Sequence, residues 1–372
     1  MEKQKVLVLG GTGAIGAHLV DCLRDTKYEV IVTSRRERQS EGNISYVKGN
    51  AHELGFLKSL LSIRYVAIVN FMTYKSEEFE IIAPLLLDAT EQYFFLSSCR
   101  SYASSDDILS EDAPQWLDVC KDEEYLATDN YALAKAYQER TLQKSGRKNW
   151  TIVRPYLTYS EQRLQLGFFE QNAWLLRALM GHKLVFSEDL ALKQTTLTYG
   201  KDVARAIGLL IGKEQAYGEA INICCNQSLR WLDVLDIYTS ELEKCLNKPV
   251  AVVMLQKAPV EDWPTEKWTF LYDRSHNRRF SNEKLLSIIR GFVFTNPEEG
   301  LRHSIREFVK KPNRNGFSWE QQASFDRITG EWAGRKEFAS FKEYLSYLKN
   351  RVVSRATKEK LKKIMSNRAI VR

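Results

Sequence analysis

Near its beginning the chain reads Val6-Leu7-Val8-Leu9-Gly10-Gly11-Thr12-Gly13-Ala14-Ile15-Gly16. The first four residues form an apolar run, which is typical of a strand that is buried on both faces of a parallel sheet. After the glycines, apolar residues recur at helical spacing from Ile15 to Leu23, and Glu29-Val30-Ile31-Val32-Thr33 predicts a second strand. A strand, a helix and a parallel strand within about 30 residues form the βαβ unit of a doubly wound sheet.

The same alternation of strand and helix patterns continues along the chain. It predicts strands at 66–69, 93–96, 150–153 and 220–223, and helices at 77–92, 129–144 and 202–211. We therefore expect an α/β fold, a Rossmann-type doubly wound parallel sheet with a smaller C-terminal substrate domain and a helical basic tail. The predicted first domain is 1–159, completed by 199–225, the second is 160–198 with 226–309, and 310–372 is a linker and the tail.

The spacing of the glycines predicts the ligand of the loop. Side chains would keep a pyrophosphate away from the backbone, whereas the amides at the start of the following helix can donate to it. Because the loop lies between a predicted strand and a predicted helix, we expect a dinucleotide there rather than a turn without a ligand. The predicted contacts are Gly10, Gly13, Ala14, Ile15 and Gly16.

The end of the second strand bears on which dinucleotide binds. NAD enzymes usually place an acidic side chain there, on the hydroxyls of the adenosine ribose. This chain has Ser34-Arg35-Arg36 instead. A serine leaves space, and a guanidinium can hold a 2′-phosphate with two hydrogen bonds, so the pattern favours NADP over NAD. The alternative is an exposed basic turn without a ligand.

Composition limits the remaining classes of protein. The 372 residues are 44% apolar and 27% charged, and no apolar run is long enough to span a membrane. We expect a cytoplasmic protein without a signal peptide. The six cysteines form no C-x-x-C pair and no His/Cys cluster has the spacing of metal ligands, so we predict free thiols and no metal.

The net charge of +7 is concentrated at the C-terminus. Residues 349–372 contain nine Lys or Arg and one Glu. This basic tail is interpreted as a solvated helix, with contact to an anionic membrane or nucleic acid, or an arm in a homodimer, as alternatives. Just before it, Phe338, Phe341, Tyr344, Leu345, Leu348 and Val352 are predicted to share one helical face.

Tyr131 and Lys135 form the strongest chemical pattern. They are four residues apart and share one helix face, and of the 17 tyrosines only Tyr131 has a lysine at this spacing. The helix follows a strand that ends at Ser97-Ser98, at the edge where α/β sheets bind ligands. An ammonium favours the phenolate form of a neighbouring tyrosine, and a serine hydroxyl can hold the oxygen of a substrate. Hydride transfer itself would belong to the nicotinamide.

At this point the sequence resembles the extended branch of the short-chain dehydrogenase/reductase superfamily, the NAD-dependent epimerase/dehydratase family that includes nucleotide-sugar epimerases. The matching blocks, in the family's order, are Gly10-x-x-Gly13-x-x-Gly16, Leu96-Ser97-Ser98 with Tyr102, Tyr131-x-x-x-Lys135, Val153-Arg154-Pro155-Tyr156, Asp202-Val203-Ala204-Arg205-Ala206 and Gly218–Ile223. The resemblance covers residues 5–308. It implies Ser98, Tyr131 and Lys135 as catalytic residues and a sugar nucleotide as the small-molecule substrate.

The resemblance also implies the remaining contacts. The further expected cofactor contacts are Asn50, Ala51, Phe71 and Pro155, and the expected substrate contacts are Cys99, Arg100 and Tyr156. For Cys99 the alternative is a buried filler, and for Arg100 a surface or ion-paired arginine. Cys99 and Arg100 stand where 4,6-dehydratases of the family carry acidic residues, which argues against dehydratase chemistry.

The sequence therefore predicts an NAD(P)-dependent oxidoreductase or epimerase that acts on a hydroxyl or ketone of a substrate like a nucleotide sugar. Two alternatives of another class remain. One is an epimerase-like fold that binds RNA through the basic tail, and the other is a regulator that senses the cofactor without turnover. The complete Ser98, Tyr131 and Lys135 set argues against both, since a binding protein does not require it.

Overall fold

The fold is built around a sheet of seven parallel strands, in a computed structural model that describes residues 4–353. The strands are β1 Lys5–Leu9, β2 Glu29–Ser34, β3 Ile44–Lys48, β4 Tyr65–Asn70, β5 Thr90–Leu96, β6 Trp150–Pro155, β7 Thr158–Tyr159, β8 Gln165–Leu166, β9 Phe169–Glu170, β10 Leu184–Ser187, β11 Gln194–Thr195, β12 Thr198–Tyr199, β13 Glu219–Ile223, β14 Leu229–Arg230 and β15 Val252–Leu255. The large sheet has the order β13-β6-β5-β4-β1-β2-β3. The order reverses at β1, so the glycine loop after β1 lies at a topological switch point.

The helices connect these strands and extend to the end of the described chain. They are α1 Gly16–Cys22, α2 Leu54–Leu60, α3 Ser76–Asp88, α4 Trp116–Val119, α5 Glu123–Leu126, α6 Tyr131–Gln143, α7 Gln171–Met180, α8 Glu188–Ala191, α9 Gly200–Leu210, α10 Trp231–Leu246, α11 Lys267–Thr269, α12 Glu283–Ile288, α13 Pro297–Lys310, α14 Trp319–Thr329 and α15 Phe341–Val352. The parallel sheet and the helical C-terminal region confirm the predicted fold class. Among residues 4–353, no helix is both long and apolar enough to span a bilayer.

Both faces of the sheet are covered by helices, because alternate residues of each strand point to opposite faces. On one face Val6 and Val8 of β1 pack in a cluster with residues of α1 and α9. On the other face Leu7 and Leu9 pack in a cluster with residues of α2, α3 and α6. Strands that are buried on both sides carry apolar residues at every position, which is why their sequences read as continuous apolar runs.

The chain divides into two compact units. The first unit consists of Met1–Gln162, Thr195–Ser228 and Asn277–Gly300, and the second of Arg163–Gln194, Leu229–His276 and Leu301–Arg372. Residues 277–300 therefore belong to the first unit, whereas the prediction placed them in the second domain. The physical reason is burial, because Leu285, Ile289 and Phe292 belong to the apolar cluster on one face of the large sheet.

The second unit contains two small strand pairs and several helices. Strand β8 pairs with β9 in antiparallel fashion, and β10 pairs with β15 in parallel. Its interior is aromatic: the rings of Trp174 and Tyr238 stack with centroids 4.7 Å apart, and Phe169, Trp263 and Phe325 contact one another. Helices α14 and α15 belong to this unit. Residues 310–353 were predicted as a linker and part of a tail, but they contribute two packed helices to it.

Helix α15 corrects one prediction about the tail. Its inner face carries Tyr347, which is fully buried, with Tyr344 and Leu348 packed against the same cluster. Phe341, Leu345 and Val352 are exposed, so the six predicted apolar residues do not share one buried face. Residues 354–372, where most of the basic tail lies, are outside the described residues, and the alternatives predicted for the tail stay open there.

Candidate active site

The glycine loop joins β1 to α1 in a conformation that depends on its glycines. Gly10 has a φ of +73°, a region that residues with a side chain rarely adopt. A Cβ at Gly11 would lie 2.6 Å from Cγ1 of Val32, so this glycine lets the loop pack on β2. The amide of Gly10 donates to Oγ1 of Thr33 at 3.0 Å, which ties the loop to the same strand.

Gly13 differs from these two glycines, because the space beside its Cα is open. The nearest atom to a Cβ built there is the carbonyl oxygen of Gly10 at 3.9 Å, and the residue is exposed. Gly16 begins α1 and would place a Cβ 2.8 Å from Cα of Gly11, so close packing requires it. Ala14 and Ile15 between them are partly exposed. The loop thus presents bare backbone at Gly13, which fits the approach of a pyrophosphate.

Ser34 is the last residue of β2, and Arg35 and Arg36 follow the strand. The Ser34 hydroxyl is buried and donates to the carbonyl of Arg36 at 2.7 Å, so it shapes the turn instead of pointing into solvent. Both arginines are exposed. The acid nearest in sequence, Glu37, lies 3.7 Å from Nζ of Lys48, and both side chains are exposed. The turn leaves two exposed guanidinium groups at the end of β2.

The segments after β3 and β4 carry three of the other predicted cofactor contacts, and the fourth, Pro155, is the last residue of β6. Asn50 accepts a hydrogen bond from the amide of His52 at 3.2 Å, and Ala51 is buried in the apolar cluster of the sheet. Phe71 is partly exposed, and its amide donates to the carbonyl of Leu9 at 2.9 Å, directly before the glycine loop. The segment after β4 therefore borders the loop, whereas Ala51 contributes packing.

Ser98 lies at the end of β5 in a buried turn. Its Oγ accepts a hydrogen bond from the amide of Arg100 at 3.2 Å, and its carbonyl accepts one from Oγ of Ser101 at 2.9 Å. Its hydroxyl proton has no acceptor within the part of the chain that the structure describes. The Ser98 side chain is therefore oriented by the turn and retains a donor for a bound molecule.

Tyr131 is the first residue of α6, one residue after the helix cap. Asn130 is that cap, since its side chain accepts a hydrogen bond from the amide of Ala132. The Tyr131 side chain is 38% exposed. The Arg100 guanidinium lies 5.2 Å from the centre of its ring, and Nζ of Lys135 lies 5.8 Å from it. The structure therefore brings the turn after Ser98, Tyr131 and Lys135 together.

Lys135 is buried, with its ammonium 4.6 Å from the ring centre of Phe95. Burial lowers the pKa of Lys135 to about 7, and the carboxylate of Glu139 opposes this shift only in part. Near neutral pH the side chain can therefore hold or release a proton, which an ordinary surface lysine cannot do.

A cavity of about 360 Å³ opens beside these residues. Tyr131 and Lys135 line it from α6, and Thr73, Tyr74 and Lys75 line it from the segment after β4. A Cβ at Gly10 would lie 3.0 Å from Sδ of Met72, in the same segment, so the cavity and the glycine loop border one short stretch of chain. The cavity has room for part of a ligand of nucleotide size.

Glu139 is a site residue that the sequence analysis missed. It stands one turn beyond Lys135, is buried, and accepts from Nε of Arg154 at 2.9 Å and from Nη2 at 2.6 Å. Its carboxylate also accepts from the hydroxyl of Ser97 and from Nε2 of Gln115 at 2.8 Å. Burial alone lowers the pKa of Arg154, but the Glu139 carboxylate outweighs that effect and raises it. Glu139 thus ties α6 to the ends of β5 and β6.

The predicted substrate contacts differ in accessibility. The Cys99 thiol has no exposed surface; it donates to the carbonyl of Arg154 at 3.1 Å and lies 3.5 Å from Sγ of Cys224. Burial raises the pKa of Cys99 well above its ordinary value, so the thiol stays neutral and acts as a filler. Tyr156, after Pro155, is also buried and packs 4.8 Å from the ring of Phe280. Of the three residues, only Arg100 reaches the exposed phenol.

The prediction of free thiols and no metal meets two observations. All six cysteines are free in the structure. Within the described chain, His182, Asp326 and Glu331 lie close enough to share a metal ion. The guanidinium of Arg177 already pairs with Asp326 and Glu331, at 2.7 Å from each, so both carboxylates are engaged.

Replacing the buried Lys135 with an apolar side chain of similar length tests how its charge affects stability. We expect Lys135→Met to raise the free energy of unfolding by about 2 kcal/mol at pH 6. The unfolded lysine stays protonated up to its ordinary value of 10.5, whereas the folded one loses its proton near 7. Below pH 7 the full cost of the buried charge is present, and between these two values the wild type becomes more stable as pH rises.

Urea unfolding at pH 6 and pH 9 measures this difference. The advantage of Lys135→Met over the wild type should be smaller at pH 9. Lys144→Met, at the exposed end of the same helix, is the matched control and should show no such pH dependence. A Lys135→Met variant that is less stable at both pH values would mean that packing, and not charge, dominates at this position.

The strand order and the glycine loop define a Rossmann-fold protein with a dinucleotide-type loop. Comparison with known proteins agrees, because the sequence model of the NAD dependent epimerase/dehydratase family matches residues 6–224, more than half of the chain. The chain belongs to this family, which confirms the resemblance seen in its motifs. A search among curated proteins finds no match.

Solved structures with the same fold are numerous. The enzyme WbmH of Bordetella bronchiseptica, solved with NAD+, has a TM-score of 0.64 at 15% identity and covers 83% of this chain and 100% of its own. MoeE5, solved with UDP-glucuronic acid and NAD, has a TM-score of 0.63 at 19% identity and covers 82% of this chain and 99% of its own. An epimerase of Methanothermobacter thermautotrophicus has a TM-score of 0.62 at 16% identity and covers 82% of this chain and 92% of its own. At these identities the likeness shows the fold.

Proposed function

We propose that this protein is an NAD(P)-dependent oxidoreductase or epimerase that acts on a hydroxyl or ketone of a nucleotide sugar. The observation that carries the proposal is the exposed phenol of Tyr131, which stands beside the cations of Lys135 and Arg100 at a cavity. Family membership supports the enzyme class. MoeE5, which has the same fold, was solved with a UDP-sugar acid and NAD, and this supports the substrate class.

The residues of the site fit such a reaction. When bound, the nicotinamide would accept or return a hydride. Tyr131 would take the proton of the substrate hydroxyl as it becomes a carbonyl, and would return it in the reverse direction. Lys135 and Arg100, which flank the ring of Tyr131, would orient the bound molecule against its hydroxyl group. Ser98, whose hydroxyl proton is still available, would hold the same substrate oxygen.

Dinucleotide binding is tested at Gly13. We expect Gly13→Ala to weaken binding of the dinucleotide about tenfold, because the added methyl group projects into the open space beside the loop. The variant should fold normally, since no protein atom lies closer than 3.9 Å to that methyl group. Titration of NAD and NADPH, followed by fluorescence, measures the effect. Gly55→Ala, which also meets open space, is the control and should bind like the wild type.

Mass spectrometry of small molecules released from the purified protein tests the reaction class. An epimerase retains its dinucleotide through a closed redox cycle and turns over without added cofactor, whereas a reductase consumes added NADPH. A protein that releases no dinucleotide, and binds none when titrated, would contradict the proposed function. A retained dinucleotide without turnover on any nucleotide sugar would leave only the regulator that senses the cofactor.

We also propose NADP as the preferred dinucleotide. The support is the pair of exposed arginines after Ser34. No acid among 34–36 is present to hold the two ribose hydroxyls of NAD. WbmH and MoeE5, which share the fold, were solved with NAD, so the proposed preference for NADP rests on the arginines of this chain alone.

Joint replacement of both arginines tests that preference. We expect Arg35→Ala with Arg36→Ala to raise the KM for NADPH at least about tenfold and to change the KM for NADH much less, because only NADPH carries the 2′-phosphate. Arg38→Ala removes a third cation from the same segment, near the ring of Tyr46, and is the control. Equal effects on both dinucleotides, or a wild type that prefers NADH, would contradict the preference.

A further inference from the structure

Helix α15 carries apolar side chains on two faces, and only one of these faces is covered. Tyr347 points inward and is buried, whereas Phe341, Leu345 and Val352 are 60%, 49% and 73% exposed. Trp332, which precedes the helix, is 57% exposed. We call Phe341, Leu345 and Val352, which share one face of the helix, the outer apolar face, and Trp332 adjoins the helix through Arg351. From Phe341 to Val352 it extends about 16 Å along the helix.

Cations surround the outer apolar face. The Arg351 guanidinium lies 4.4 Å from the ring centre of Trp332, and that of Arg335 lies 5.8 Å from the ring centre of Phe341. Lys342 and Lys349 are exposed on the same helix and form no ion pair within residues 4–353. Aromatic and aliphatic side chains flanked by lysine and arginine are typical of helices that lie in the interface of an anionic bilayer.

The acidic residues of this region are engaged elsewhere. Glu343 accepts from the amide of Ala339 at 2.9 Å and so caps the start of α15. Glu337 lies 2.9 Å from Nε2 of His182, and Glu331 pairs with Arg177. The cations Arg335, Lys336, Lys342, Lys349 and Arg351 outnumber the carboxylates Glu337 and Glu343 in this stretch, so its net charge is positive. The sequence that follows has the same sign, with seven Lys or Arg and one Glu in residues 354–372.

This charge distinguishes between the partners that could cover the face. A second copy of the chain would bring like charges together, which opposes association through this surface. A nucleic acid would satisfy the cations but leaves Leu345 and Val352 without a role, since aliphatic side chains contribute little to phosphate binding. An anionic bilayer satisfies both, because its head groups attract the cations and its acyl region takes up the apolar side chains.

We propose that the outer apolar face and its flanking cations form a docking surface for an anionic lipid bilayer. In this arrangement Lys342, Lys349, Arg335 and Arg351 lie at the level of the head groups, and the apolar side chains of the face insert below them. The surface belongs entirely to the second unit and is independent of the proposed function of the first. The protein would then bind reversibly, as a peripheral protein.

Sedimentation of the full chain with lipid vesicles tests the proposal. We expect binding to vesicles of phosphatidylcholine with phosphatidylserine, and at least about tenfold weaker binding to phosphatidylcholine alone. Binding should also weaken when salt rises from about 0.1 M to about 0.5 M, because the Debye length shortens. Leu345→Asn with Val352→Asn should weaken binding to the anionic vesicles at least about fivefold.

Matched controls keep the test specific. Leu192→Asn with Val293→Asn removes two apolar side chains that are 68% and 70% exposed elsewhere, and should leave binding unchanged. Thermal melting checks that every variant folds. The proposal is overturned if the wild type does not sediment with anionic vesicles, or if Leu345→Asn with Val352→Asn binds as the wild type does.

Two further measurements identify the rejected partners. A nucleic acid would be the partner if the protein binds RNA tightly and does not bind vesicles. That RNA binding should be lost in the Lys342→Gln, Lys349→Gln variant and unchanged in the Leu345→Asn, Val352→Asn variant. A dimer in sedimentation equilibrium that the Leu345→Asn, Val352→Asn variant dissociates would show that a second copy covers the face. Either result overturns the proposal.

Discussion

Tyr131→Phe is expected to lower turnover of the proposed substrate about a thousandfold, which is within the range for loss of a general acid or base. The change removes only the hydroxyl group that would move the proton. The ring stays in place between Lys135 and Arg100, and because the side chain is already 38% exposed, the free energy of unfolding should change little. Dinucleotide binding should be unchanged, since the loop after β1 is not altered.

The control for this change lies on the same helix. Tyr137 is 40% exposed, so Tyr137→Phe removes a similar hydroxyl group at a similar depth and should be as active as the wild type. Turnover is measured with nucleotide sugars through the redox state of the dinucleotide or the appearance of the epimer. A Tyr131→Phe enzyme with substantial activity would show that another group moves the proton, and the assignment of Tyr131 would be wrong.

Glu139→Gln is expected to lower the free energy of unfolding by about 3 kcal/mol, because it leaves the buried guanidinium of Arg154 without a counter-charge. In addition, the new amide nitrogen would face donors of Arg154, Gln115 or Ser97, all of which now donate to the carboxylate. Chemical denaturation of both proteins measures the loss. Activity should fall as well, since Glu139 positions the elements that carry Ser98 and Lys135.

An exposed pair of the same type provides the comparison. Asp118 of α4 pairs near the surface with Arg140 of α6, the helix that carries Glu139. Asp118→Asn should therefore lower the free energy of unfolding by less than about 1 kcal/mol. Adding Arg154→Met to Glu139→Gln removes the orphaned charge and should restore part of the lost stability. If Glu139→Gln and Asp118→Asn destabilise the protein equally, burial does not determine how much the Glu139–Arg154 pair contributes to stability.

The parts of the fold that could be predicted are those with local signals. Strands β1, β2, β4 and β5 each contain an uninterrupted apolar run of at least three residues, because the middle of each strand is covered on both faces of the sheet. Strand β3 was not predicted, because only Ile44 of its five residues is fully buried and its pattern is mixed. It pairs with β2 at the edge of the sheet, where one-sided exposure weakens the signal.

The candidate site divides in the same way. Tyr131 and Lys135 could be recognised because both lie on one helix, where a spacing of four residues places them on one face. The pairing of Glu139 with Arg154 could not be recognised from the sequence, since Glu139 is on α6 and Arg154 is on β6. Only the folded chain brings the two side chains together. The burial of Cys99 and Tyr156 likewise depends on residues far away in the sequence, namely Cys224 and Phe280.

The sequence by itself determined the glycine loop, the alternation of strands and helices and the Tyr131–Lys135 pair, because each depends on neighbours within one or two elements. Tertiary structure alone decided that residues 277–300 pack on the large sheet, that Lys135 is buried enough for its pKa to fall to about 7, and that one apolar face of α15 stays exposed. Burial depends on which distant segments cover a residue, and periodicity along the chain does not contain that information.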